Sequence, residues 1–221
     1  TPLEFRLRAV QLYGSKIGVV DGFNRFTYAE YDQRVNRFAN VLVKLGVTKG
    51  NVVSFLTYNS HQLLEAYYAV PQINGVLNPI NIRLAPPEIE YIINHADTQV
   101  LCFHQDFIDV IKQIRPYLVN IKHFIILEST NEYEWAQDYE TLLATANPLA
   151  EIDLSTIDEN AVVELFYTSG TTGHPKGVEI TNRSLYLHTL NAIIGFQVSD
   201  EDALLHVVPL FHVNGWGTPQ F

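Results

Sequence analysis

From Val52 to Leu127 the chain alternates short, β-branched apolar runs with longer segments of helical period, and that alternation leaves few folds open. Val52 to Leu56, Val76 to Ile80, Gln99 to Phe103 and His123 to Leu127 each read as a strand. Between them, Ser60 caps a helix running to about Asn74. Pro86-Pro87-Glu88 opens a second helix to His95, with proline in its tolerated first turn, and Phe107 to Tyr117 forms a third. Strands separated by helices of this length make βαβ units. The fold class is therefore α/β, with layered, mainly parallel sheets flanked by helices.

The flanking segments are legible in the same way. Ile17-Gly18-Val19-Val20 and Arg25-Phe26-Thr27-Tyr28 form a hairpin around Asp21-Gly22. Thr27 followed by Glu30 is a capping box, and Tyr31, Val35, Phe38, Leu42 and Leu45 then recur at helical spacing until Gly46 ends the helix. Residues 128 to 158 are more polar and less periodic, a surface connection with one short helix near Tyr139 to Ala144. The subdomain boundary is placed there: residues 1–158 form a first α/β subdomain, and 159–221 begin a second, with a new sheet starting at Val162 to Thr168. Thr1 in place of an initiator Met and an end at Phe221 read as a chain trimmed at both ends.

Composition removes several classes of function. A formal charge of −10 argues against nucleic-acid binding, which needs clustered Lys and Arg, although a few local cations and amides can still hold a small anion. No apolar stretch approaches the length of a membrane span. Cys102 is the only cysteine and lies in the apolar run Val100 to Phe103, so it reads as a buried thiol in a reducing, cytoplasmic setting. The eight histidines show no metal-ligand spacing.

The most informative stretch is Phe166-Tyr167-Thr168-Ser169-Gly170-Thr171-Thr172-Gly173-His174-Pro175-Lys176-Gly177-Val178. It joins two apolar runs as a loop between strands. Three glycines let amides approach an anion without Cβ interference, four hydroxyls (Thr168, Ser169, Thr171, Thr172) add donors, and Lys176 adds a positive charge. The pattern is not a Walker A loop, because Gly170-x-x-Gly173-x-x-Lys176 leads into a strand rather than a helix. Nor does Ser169 sit in the Gly-x-Ser-x-Gly elbow of a hydrolase nucleophile. The bland alternative is a solvent-exposed hairpin loop of chance Gly/Ser/Thr composition; so long an ordered run is hard to reach by chance.

Tyr167 to Val178 closely resembles the phosphate loop of the adenylate-forming superfamily, which comprises acyl-CoA synthetases, firefly-type luciferases and peptide-synthetase adenylation domains. The resemblance implies that Thr168, Ser169, Gly170, Thr171, Thr172, Gly173 and Lys176 grip the β- and γ-phosphates of ATP, with Thr168 or Thr171 near Mg²⁺. Downstream, Pro209-Leu210-Phe211-His212-Val213-Asn214-Gly215-Trp216-Gly217 follows an expected strand, Leu204 to Val208. By itself it reads as core aromatics beside flexible glycines; in this position it resembles the aromatic motif of fatty-acyl-CoA synthetases. The resemblance implies that His212 orients near the reacting carboxylate and adenylate, that Val213 belongs to the ATP and acyl pocket, and that Trp216 gates the fatty-acyl tunnel.

Phe26-Thr27-Tyr28-x-Glu30, Asn36-Arg37-x-Ala39, Leu45-Gly46-Val47 and Pro79-Ile80-Asn81-x-Arg83-Leu84 are similar to upstream landmarks of the same synthetases. The implied function is an ATP-dependent carboxylic acid–CoA ligase working through an acyl-adenylate, with His212 and Lys176 as catalytic residues. ATP, Mg²⁺ and CoA are its implied cofactor and co-substrates, and a homodimer formed through the N-terminal region is its implied assembly. The alternatives are a luciferase-like or peptide-synthetase-type adenylating enzyme, or a non-catalytic dimerising fragment. The family's adenine-binding segment, ribose-binding Asp and C-terminal catalytic Lys have no counterpart here, so this chain alone is expected not to adenylate efficiently.

Overall fold

Thr27 and Glu30 cap one another where the chain turns from hairpin to helix. The Glu30 amide donates to Thr27 Oγ1 at 3.2 Å, and the Thr27 amide donates back to Glu30 Oε2 at 2.8 Å. The computed structural model describes residues 1–148, 154–168, 173–212 and 215. Helix α1 (Leu3–Tyr13) precedes a hairpin of β1 (Ile17–Asp21) and β2 (Asn24–Thr27), and the capped helix is α2 (Tyr28–Lys44). Tyr31, Val35, Phe38 and Leu42 all lie on the buried face of α2, as their spacing requires.

Next come β3 (Val52–Leu56), α3 (His61–Gln72), β4 (Val76–Pro79), α4 (Pro86–His95), β5 (Thr98–His104), α5 (Ile108–Ile114) and β6 (His123–Leu127). The helix expected from Phe107 to Tyr117 is α-helical only over α5, with 3-10 turns at Gln105–Phe107 and Arg115–Tyr117. Pro116 has no amide to continue the ladder, so the helix stops before it. A short β7 (Gln137–Asp138), α6 (Tyr139–Thr145), β8 (Val162–Thr168), β9 (Lys176–Thr181) and α7 (Asn182–Phe196) complete the described elements.

One seven-stranded sheet runs in the order β7-β6-β5-β3-β4-β8-β9. Every neighbouring pair in it is parallel except β8 with β9. This corrects one expectation. Val162 to Thr168 does not start a new sheet: β8 joins the existing one beside β4, with Leu77 opposite Glu164. The reason is that β5, β6 and β7 all build away from β3 on one side, leaving the outer edge of β4 unpaired for the next apolar run. A second expectation also changes. Leu204 to Val208 forms no strand, and Leu204, Leu205 and Val207 are exposed by 60%, 83% and 75%. The Asn59 side chain bonds the His206 and Val208 carbonyls in place of a ladder.

Alternating side chains divide the core into two layers. Val100 and Cys102 of β5 face α2, α3 and α6, while Leu101 and Phe103 face Ile89, Ile92 and Ile93 of α4 and Ile111 and Ile114 of α5. Within the first layer sits a charged cluster joining four elements. Arg34 of α2 holds fully buried Glu65 of α3 through Nε at 2.5 Å and reaches both carboxylate oxygens of Glu140 of α6 at 2.9 and 2.7 Å. Tyr139 donates its hydroxyl to Glu65 at 2.7 Å. His61 completes it, with Nδ1 2.8 Å from Asp21 Oδ2 at the end of β1 and Nε2 3.7 Å from Glu140.

Two predictions follow from this cluster. Arg34→Met leaves Glu65 buried without its cation, which costs about 3–5 kcal/mol by urea unfolding; a loss under about 1 kcal/mol contradicts the account. The second concerns pH. Burial disfavours charge on both His61 and Glu140, but their bonds outweigh it: His61 is raised above its ordinary 6.5, and Glu140 is held down to about 2 by His61 and Arg34. A raised His stabilises fully below 6.5 and loses that contribution as pH rises through its folded value. A depressed carboxylate stabilises above its ordinary 4.5 and loses that contribution as pH falls towards about 2. The stability difference between wild type and His61→Gln should therefore shrink on the alkaline side, and that for Glu140→Gln on the acid side. Differences flat across both windows overturn the assignment.

Candidate functional site

In a parallel sheet, ligands bind beyond the carboxyl ends of the strands, where the order of connection reverses. Here the chain steps outward from β4 to β5, β6 and β7, then returns to place β8 against β4. Beyond the carboxyl ends of β4 and β8 lies a crevice of about 220 Å³ lined by Asn81, Leu84, Glu88, Tyr167, Thr168 and Pro175, with Phe211 and His212 closing it. Pockets that enclose a whole small molecule measure roughly 300–1,000 Å³, so the described residues supply part of a site, of a size suited to a phosphate chain or carboxylate. A larger hollow, about 650 Å³, runs from the amino ends of β3 and β4 along the sheet face past Lys49, Val52 and Val76. It reaches His95, Tyr167 and Gly177 but holds neither Thr168 nor His212, and its widest lining, at the amino ends, is not where α/β sheets take ligands.

Thr168 and Lys176 are direct partners across the antiparallel β8–β9 pair, and both are exposed at its open end. The connection between them therefore hangs from a fixed two-strand base. Gly173 within it has φ +103°, with open space where a Cβ would stand. That geometry is free for glycine and strained for other residues, and it leaves the backbone accessible to an anion. Ser169, Gly170, Thr171 and Thr172, together with Val213 and Trp216, lie outside the described residues.

His212 reaches the crevice because its segment is tied down by residues that the sequence did not single out. Asn59, between β3 and α3, donates from Nδ2 to the carbonyls of His206 and Val208 at 3.3 and 2.9 Å. Its Oδ1 accepts from the Leu210 amide at 2.8 Å. Buried Tyr67 of α3 donates to the Leu210 carbonyl at 2.6 Å. The His212 amide then donates to Pro209 O at 3.0 Å, and the Gly215 amide donates to His212 O at 2.8 Å. A Cβ at Gly215 would sit 2.5 Å from Pro209 O, so this position requires glycine. An Asn just before a capped helix carries no sequence mark of such a clamp, since its partners lie about 150 residues away.

The residues present fit a magnesium–polyphosphate better than a free-standing metal site. Among the described residues no group of three or more His, Cys, Asp and Glu could hold a metal ion. Mg²⁺ takes few protein ligands when phosphates bring it in, and an exposed threonine hydroxyl beside a lysine suits that donor set. Thr168 and His212 thus line one crevice, and Lys176 is the partner of Thr168 across β8 and β9.

Similarity to known proteins agrees with this architecture. The profile of the family described as AMP-binding enzyme matches residues 7–220. A long-chain-fatty-acid–CoA ligase from Thermus thermophilus is 39% identical over 222 residues, covering 98% of this chain and 40% of the relative. A 3-methylmercaptopropionyl-CoA ligase from Ruegeria pomeroyi is 36% identical, covering 90% of this chain and 38% of the relative. The chain thus spans about 40% of the length of the curated relatives it matches. Among solved structures, a Mycobacterium tuberculosis fatty acyl CoA synthetase superposes with a TM-score of 0.85 at 27% identity, over all of this chain and 42% of that one. A benzoate CoA ligase from Burkholderia xenovorans shares the fold at a TM-score of 0.82 and 20% identity, over 95% of this chain and 40% of that one. With its profile matched from residue 7 to residue 220, the chain belongs to the AMP-binding enzyme family.

Proposed function

We propose that this chain is the nucleotide-gripping, amino-terminal part of an ATP-dependent carboxylic acid–CoA ligase. The observation that carries the reading is that Thr168 lines one crevice with His212 and has Lys176 as its register partner on β9. In the reaction, a carboxylate oxygen attacks the α-phosphorus of ATP, and the bond to the β-phosphate breaks to release pyrophosphate. The thiol of CoA then attacks the acyl carbonyl, loses its proton, and expels AMP. Charge gathers on the departing pyrophosphate during the first step. In this reading Lys176 neutralises it, and the amides and hydroxyls of 168–173 bind its oxygens. Bound Mg²⁺, held by the phosphates and by Thr168 or Thr171, would supply further neutralisation. In this reading His212 orients the reacting carboxylate, and the resemblance of its motif gives Val213 and Trp216 a role toward the acyl group.

Long-chain, medium-chain, benzoate and methylmercaptopropionate ligases stand together among the relatives, so the reading commits to a carboxylic acid rather than to a chain length. A reducing, cytoplasmic setting accords with fully buried Cys102. Self-association through the N-terminal region is supported by the β1–β2 hairpin, whose tip leaves Phe23 fully exposed and Val20 54% exposed.

Two substitutions test the proposal. Lys176→Met removes a charge-assisted contact to phosphate and should weaken ATP·Mg²⁺ binding by about 10- to 100-fold in equilibrium titration; unchanged affinity overturns the role. Asn59→Leu removes the clamp on Pro209 to His212 and should speed amide exchange across 206–212 while leaving β3 protected. Exchange that stays slow in 206–212 rules the clamp out.

A further inference from the structure

Helix α4 touches the phosphate loop through a set of rings that the proposed chemistry does not use. Tyr91 stacks on His174, with centroids 4.8 Å apart and planes 23° from parallel. One turn further on, His95 packs against Tyr91 at 5.3 Å, and its Nδ1 lies 2.7 Å from the Tyr167 hydroxyl. Tyr167 and His174 stand on opposite sides of residues 169–172, so one helix holds both flanks of that segment. The helix is itself a fixed body: Ile89, Ile92 and Ile93 are buried against β5 and α5. Its first turn also supplies Glu88 to the wall of the crevice.

We propose that Tyr91 is a positioning residue for the polyphosphate, acting by a ring clasp on His174 that sets the flanks of the loop before nucleotide arrives. The inference rests on the reading of 168–176 as the nucleotide loop. Pre-setting a loop improves affinity by removing part of the ordering cost from the binding step. Without the clasp, His174 is an exposed side chain following a glycine at φ +103°, a geometry that does little to hold the connection in place. The bond to His95 strengthens the other flank. Burial, with Tyr91 adding to it, pushes the Tyr167 phenol up to about 12, so it keeps its proton and can donate to His95.

The test uses the 221-residue chain with Tyr91→Leu, Tyr91→Phe, His174→Ala and the Leu/Ala double variant. Two quantities are read: amide exchange over 173–178 without ligand, and the Kd for ATP·Mg²⁺. Tyr91→Leu keeps apolar bulk and guards against a folding defect, while Tyr91→Phe keeps the stack. The expected result is faster exchange over 173–178 and a Kd about 3- to 10-fold weaker in the Leu and Ala variants, the size of a lost aromatic stack. The double variant should be no worse than either single one, and Tyr91→Phe should match wild type. Unchanged exchange, or effects that simply add, overturn the clasp. A wild-type chain that does not bind ATP·Mg²⁺ overturns the nucleotide reading and the positioning role with it, and the exchange pattern alone then decides whether Tyr91 holds the loop.

Discussion

The return of β8 to the open edge of β4 fixes where everything else on this chain can act. After β7 the sheet has grown on one side only, and a strand left unpaired beside a filled core would carry orphaned amides and carbonyls. Pairing β8 there places Thr168 next to the β4–α4 connection and starts β9 at Lys176. The arrangement has an electrostatic cost. Glu164, opposite Leu77 in that pairing, is fully buried, and desolvation pushes its carboxyl well above the usual carboxylate range.

Stability and chemistry are kept in different places. The Arg34, Glu65, Glu140, Tyr139, His61 and Asp21 cluster ties the hairpin, α2, α3 and α6 into one body on one face of the sheet. No member of that cluster lines the crevice. The residues at and beside the crevice are held by separate devices: a register pair at Thr168 and Lys176, an asparagine clamp behind His212, and stacked rings on α4. Such a division lets the body stay rigid while the groups that meet a ligand are each set by a few contacts of their own that can give way.

Much of the body was readable from residue order because its signals are local. The Thr27–Glu30 box, the helical spacing from Tyr31 to Leu42 and the first-turn prolines of α4 depend on neighbours within a turn or two. Helix α7 was not readable: Leu187, Leu190, Ile194 and Phe196 are exposed while Leu185 and Ala192 are buried, so apolar residues face every way and no single stripe stands out. Leu204 to Val208 misled for the related reason that a run of apolar residues becomes a strand only where an edge accepts it. At the site, Thr168, Gly173, Lys176 and His212 were marked by their composition, whereas Asn59 and Tyr67, whose partners lie 143 to 151 residues away, were not. Long-range positioning leaves no periodic trace in a sequence.

The most direct test of the account is hydrogen exchange of the chain with and without saturating ATP·Mg²⁺. Slowed exchange is expected in two separated stretches, residues 81–88 and 166–178, whose described residues come together at the carboxyl ends of β4 and β8. Slowed exchange confined to Lys49 to Val52 and Asn74 to Val76, around the hollow at the amino ends, would contradict it, and so would an unaltered pattern throughout.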